Sequence, residues 1–201
     1  MLMEPASSAP ALGGSLSPDH RQALLAANLR AKKIRGAIGV AAFNGWSVAV
    51  FAVLSLPFAF GSWSSLIVVA GLGLVAYNEF RGRNGLRRFD PAAARLLGWN
   101  QLGLWALLVG YSAWSIGCAF VGPNPYEDIL RSNPDVAALS PGSLGSLYIT
   151  VTLVVYGGVI IAATLMQGLN AWYYFSREKH VRAYLDETPK WVVDVHRTTG
   201  G

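Results

Sequence analysis

Between Gly36 and Asn78 lie 43 residues without a single Asp, Glu, Lys, Arg or His. About 20 apolar residues cross the hydrocarbon core of a bilayer, so this run is long enough for two crossings. Pro57 and Gly61 sit near its middle, beside Ser62, Trp63, Ser64 and Ser65. That punctuation predicts two transmembrane helices joined by a tight turn. Two further tracts, 96–126 and 147–175, are also free of charge. Charged residues make up 13% of the chain, about half the share usual in a soluble domain. The expected fold is an all-α integral membrane protein, with four transmembrane helices in an antiparallel bundle.

The order of segments follows from local signals. Residues 1–16 are rich in Pro, Ala, Ser and Gly and predict a disordered tail. They lack the cationic start and apolar stretch of a signal peptide, so the first span is expected to direct insertion. Ser17-Pro18-Asp19 is a helix start of the cap-plus-proline type. Leu24, Leu25, Leu29 and Ile34 then recur at near-helical spacing among basic residues, which predicts an amphipathic membrane-surface helix over 17–35. The four-helix transmembrane domain is expected over 36–175, with spans at about 36–58, 62–80, 96–121 and 147–175. Asp90-Pro91 marks the start of the third helix, and a Pro-rich outer loop occupies 122–146. Trp172, Tyr173, Tyr174 and Phe175 predict an interfacial belt at the end of the fourth span. The fourth helix is expected to run on into the cytoplasm as far as Leu185 and to stop before Pro189. Residues 176–201 then make up a helix extension and tail.

Charge sets the expected orientation. Arg21, Arg30, Lys32, Lys33 and Arg35 precede the first span; Arg81, Arg83, Arg87, Arg88 and Arg95 lie between the second and third; Arg177, Lys179, Arg182, Lys190 and Arg197 follow the fourth. The two opposite connections hold Arg131 alone. Positive residues favour the cytoplasmic side, so both termini are expected there. The net charge of +5 is explained by this placement and by anionic lipid, and nucleic acid is not an expected partner. Arg83, Arg87 and Arg88 are the expected lipid head-group contacts.

Two constellations stand out within the spans. Gly103, Ala106, Gly110, Ala113 and Gly117 alternate at three- and four-residue steps, a helix-packing seam of small residues. It is suited to another helix of the same chain or to a neighbouring subunit. Asn78, Glu79, Asn100, Gln101, Gln167 and Asn170 fall at similar depth near the cytoplasmic boundary and predict a cross-helix polar layer. Glu79 is expected to pair with Arg83 one turn later. Asn44 is the only strongly polar side chain of the first span.

The pattern offers little chemistry. His20, His180 and His196 all lie outside the spans, and the lone Cys118 excludes an internal disulfide. No nucleophile-base pair, phosphate loop or metal-spaced cluster is recognisable, so no catalytic residue, cofactor or metal is expected. The adjacent Glu127 and Asp128 read as solvated loop charges. The leading expectation is a structural or accessory subunit of a membrane assembly, homo- or hetero-oligomeric. A homo-oligomeric channel or passive pore is the alternative, and an interfacial lipid-modifying enzyme using Glu79, Asp90 or His180 is a weaker one.

Overall fold

The computed structural model describes residues 16–123, 132 and 143–199. The N-terminal tail and most of the 122–146 loop, including Glu127, Asp128, Arg131 and Asp135, lie outside the described residues. Among the described residues the fold is all helical, with no strand. The described residues form five helices: α1 Pro18–Ala59, α2 Trp63–Arg87, α3 Pro91–Val121, α4 Ser143–Glu187 and α5 Lys190–Thr199. The first four are long and apolar enough to cross a membrane.

Helix starts follow the side chains that satisfy the free N–H groups of a first turn. Ser17 Oγ accepts from the His20 N–H at 3.2 Å, and Pro18 follows it. Ser62 Oγ accepts from the Ser65 N–H at 3.2 Å. Asp90 Oδ1 accepts from the Ala92 N–H at 2.9 Å, with Pro91 next. Each such cap contributes about 1 kcal/mol. The end of α2 is closed by two backbone bonds, Asp90 N–H to the Gly85 carbonyl and Phe89 N–H to the Leu86 carbonyl, both at 3.0 Å. This places Phe89 in the left-handed region at φ 56°, a position that usually holds glycine. The backbone cost is about 1–2 kcal/mol. Burial of the ring offsets it: Phe89 stacks on Tyr184 at 4.4 Å between centroids.

α1 packs against α2 and α4, α2 against α3, and α3 against α4, so the four long helices close into a ring. Close approach depends on glycine at particular places. A Cβ added at Gly45 would lie 3.1 Å from Glu79 Cβ, and one at Gly82 would lie 2.5 Å from Leu97. Val48, Leu72, Val75, Ala76 and Leu104 form one core of the bundle.

A second core lies where the helices extend beyond their apolar tracts. α1 has 42 residues and α4 has 45. At 1.5 Å per residue they are about 63 and 67 Å long, roughly twice the thickness of a hydrocarbon core. Ala27, Ala31 and Ile34 of α1, Leu86 and Phe89 of the α2–α3 turn, Val181 and Tyr184 of α4, and Val192 of α5 pack into one cluster with almost no exposed area.

Two expectations change here. Residues 18–35 do not form a separate surface helix; they are the first half of α1. Their apolar stripe is Ala27, Ala31 and Ile34, and it is covered by the chain's own α4 and α5, while Leu25 and Leu29 point outward. Residues 190–199 form a separate helix rather than part of a tail. Val192, Val193 and His196 share its buried face, and the Val192 and Val193 N–H groups bond the Pro189 carbonyl. Proline therefore ends α4 and also starts the next helix.

Candidate functional site

The most constrained group inside the bundle is Glu79. It is fully buried, at 0% exposure, although carboxylates rarely leave the surface unless partnered. α2 presents it beside Gly45, whose missing side chain lets α1 close over it. Asn100 Nδ2 donates to Glu79 Oε1 at 2.9 Å and Gln101 Nε2 donates to the same oxygen at 2.7 Å. Tyr174 OH donates to Oε2 at 3.4 Å. Asn44 Nδ2 donates to the Tyr174 hydroxyl at 3.2 Å, and Asn100 Nδ2 also reaches the Val75 carbonyl at 2.9 Å. Asn44 stands on α1, Glu79 on α2, Asn100 and Gln101 on α3, and Tyr174 on α4. One carboxyl thus gathers donors from two helices directly and from α1 through a tyrosine.

The arrangement explains why the residue types alternate as they do. Leaving a buried amide or carboxyl without partners costs about 1–3 kcal/mol or more, so each polar side chain needs the others. The carboxyl offers only acceptors when ionised, and the amides and hydroxyl supply donors. Such a network fixes rotation and register, because a helix turned by one residue would withdraw its partner from the cluster.

Of the six residues expected in the polar layer, the structure brings together Glu79, Asn100 and Gln101. Asn78 is half-buried and lines the outer α2–α3 groove. Asn170 is half-buried beside Val40 and Tyr173. Gln167 is half-buried, and its Oε1 has no hydrogen-bond partner. Neighbours in sequence are turned 100° apart on a helix, so equal depth does not mean equal direction. Glu79 does not pair with Arg83: its three side-chain hydrogen bonds go to α3 and α4. The cluster also includes Asn44 and Tyr174. The isolation of Asn44 among apolar residues was a usable signal. Tyr174 was hidden among belt aromatics, and unlike Trp172 it faces inward at 0% exposure.

The small-residue seam has a different outcome. Gly103, Ala106, Gly110, Ala113 and Gly117 are all exposed. A Cβ added at any of the three glycines would meet no atom within 4 Å. α3 meets its neighbours through Leu97, Gly98, Gln101 and Leu104 instead, and Gly98 lies against the Phe175 ring. The seam therefore has no partner helix among the described residues.

The basic end is tied together by polar contacts. Glu178 bonds Arg182 at 2.7 Å and lies 3.4 Å from Arg95. Arg30 meets Glu187 at 3.0 Å, and Lys33 Nζ lies 3.2 Å from His180 Nε2. Arg197 Nε donates to the Arg88 carbonyl at 3.1 Å. Tyr184 OH and His196 Nδ1 are 2.7 Å apart. Burial, and secondarily the nearby Arg35 charge, push the His196 imidazole below its ordinary pKa. The three residues weighed for interfacial catalysis do not converge: Glu79 is inside the bundle, Asp90 caps α3, and His180 faces Lys33. Of the expected lipid contacts, Arg87 and Arg88 are exposed, while Arg83 is half-buried with an unpartnered Nε. Among the described residues no group of three or more His, Cys, Asp or Glu is placed to hold a metal. Comparison with family models, curated proteins and solved structures gives no match.

Proposed function

We propose that this chain is an integral membrane protein of four antiparallel spans that acts as a structural or accessory subunit of a membrane assembly. Large apolar side chains on the outside of the bundle, among them Phe43, Trp46, Phe51, Leu54 and Trp114, support a lipid environment. Antiparallel packing of α3 and α4 is supported by contacts that run in opposite order, from Arg95–Glu178 through Trp99–Phe175 and Trp105–Thr164 to Tyr111–Tyr156. The gathering of three basic segments around one core supports a shared cytoplasmic side.

The exposed seam on α3 carries the functional reading. Five small residues at three- and four-residue steps let a second helix approach to backbone distance. In this chain that surface faces outward, with open space over every glycine. Its natural occupant is a transmembrane helix of another subunit, like or unlike. The test is the mass of the purified chain in mild detergent. The expected result is a complex larger than the 21.5 kDa monomer. Gly110→Leu should break that complex without unfolding the chain, whereas Leu108→Ala, on a side packed into the bundle, should leave it assembled. A wild-type monomer, or equal behaviour of the two variants, overturns the proposal.

A further inference from the structure

Two hollows lie on the outer side of α2 and α3, and they meet at Leu96, which lines both. The first, about 610 Å³, lies near the α2–α3 turn between Tyr77, Phe80, Arg81, Asn84 and Arg88. The second, about 340 Å³, lies deeper along the same pair of helices and is walled by Leu74, Trp99, Gly103 and Leu107. The first sets two arginines and an asparagine among apolar walls, and the second is mainly apolar.

Their construction is specific. Gly85 brings α2 so close to α3 that an added Cβ would lie 2.6 Å from Ala93 Cβ. Both residues line the first hollow, so close helix contact forms part of its wall. Among the described residues neither Arg81 nor Arg88 has an ion-pair partner. Asp90 is the one acid in the wall, and its Oδ1 is occupied by the Ala92 N–H at the start of α3. The Arg88 backbone is anchored by Arg197 of α5, so the α2–α3 turn is braced from the opposite end of the sequence.

We propose that this groove binds one anionic phospholipid, with its phosphate at Arg81, Arg88 and Asn84 and an acyl chain along Leu96, Leu74, Trp99 and Leu107. Guanidinium groups bind phosphate oxygens through paired, charge-assisted hydrogen bonds, and the Asn84 amide adds a neutral donor. From Arg88 to Gly71 the groove follows about 25 Å of α2, similar to the length of an extended lipid tail. A free anion would use only the first hollow, and the apolar trough continuing from it favours a lipid. The two arginines against one acid favour a head group with net negative charge over a zwitterionic one, whose own cation would face them. Of the expected head-group contacts Arg88 lines this groove with Arg81, and Arg83 and Arg87 lie outside it.

The inference rests on membrane residence, and the two are separable. Delipidated full-length chain in detergent is titrated with phosphatidylglycerol or phosphatidylcholine, and bound lipid is counted by native mass spectrometry. Phosphatidylglycerol should bind about tenfold more tightly than phosphatidylcholine. Arg81→Gln with Arg88→Gln should erase that preference. Leu74→Trp, at an exposed α2 position that lines the trough and lies off the α3 seam, should weaken both lipids while leaving the helical circular dichroism intact. Arg87→Gln, which lies outside the groove, should change nothing. Unchanged preference in the double variant, equal loss in Arg87→Gln, or displacement of the lipid by an equimolar concentration of inorganic phosphate overturns the lipid site. Release of the chain from membranes by alkaline carbonate overturns membrane residence itself; retention without lipid preference overturns the groove alone.

Discussion

Replacing Glu79 by leucine tests whether the buried cluster holds the bundle together. The two side chains are of similar size, so the main effect is on hydrogen bonding. Gln101 Nε2 loses its partner, and the Tyr174 hydroxyl loses its acceptor. Asn100 Nδ2 keeps the Val75 carbonyl at 2.9 Å and is only partly affected. Two orphaned donors at about 1–3 kcal/mol each give a loss of roughly 2–6 kcal/mol. In a membrane the unfolded reference finds partners of its own, and measured hydrogen bonds average about 0.6 kcal/mol. The expected loss is therefore about 1–4 kcal/mol, read as a lower midpoint of SDS-induced unfolding in mixed micelles. The diagnostic is the double variant. Glu79→Leu with Gln101→Leu removes both members of the shortest pair and should recover about half of the loss, because replacing both partners with apolar groups is far cheaper than orphaning one. If Glu79→Leu is as stable as wild type, or if Gln101→Leu adds its full cost on top, the cluster does not link the helices as described.

Other outcomes follow from single contacts. Phe89→Gly relieves about 1 kcal/mol of left-handed backbone cost but removes a buried ring worth about 3–5 kcal/mol; thermal melting should fall, and a rise would contradict the packing role of the Phe89–Tyr184 stack. Gly82→Ala should destabilise strongly, because its Cβ would lie 2.5 Å from Leu97, whereas Gly117→Ala should be neutral in the same melt. His196 has a folded pKa below its unfolded value, so its contribution is fully present above about pH 6.5 and is lost as pH falls through the folded value. Tyr184 is hydrogen-bonded to it and Arg35 is the charge that acts on it, opposing a proton there; Arg197 acts on the neighbouring Tyr184 hydroxyl. Amide protection over 190–199, taken relative to the intrinsic exchange rate at each pH, should fall between pH 7.5 and 5, and greater protection in acid would contradict the docking of neutral imidazole.

Much of the fold is legible because hydrocarbon-length tracts without charge are rare and unambiguous. The caps at Ser17 and Asp90, each followed by proline, place the starts of α1 and α3 to the residue. What covers a face is harder to read. The stripe through Ala27, Ala31 and Ile34 shows periodicity alone, and lipid, another chain or the protein's own α5 would produce the same pattern. α5 itself is short and follows Pro189, so its signal is the close spacing of Val192, Val193 and His196. The candidate site is half legible for a geometric reason. Depth along a span follows from residue number, but direction does not, so Asn78 and Glu79 read alike although Glu79 alone turns inward. The seam is legible as a shared face, but its lack of a partner among the described residues depends on which side of α3 meets α2 and α4.

Four spans with all three basic segments on one side remain the central claim, and labelling with a membrane-impermeant maleimide tests it most directly. In a Cys118→Ser background, single cysteines are placed at Gly61→Cys, Arg87→Cys and Thr198→Cys, all at exposed positions. In intact cells Gly61→Cys should react, while Arg87→Cys and Thr198→Cys should react only after permeabilisation. Labelling of Gly61→Cys and Arg87→Cys from the same side would contradict the account.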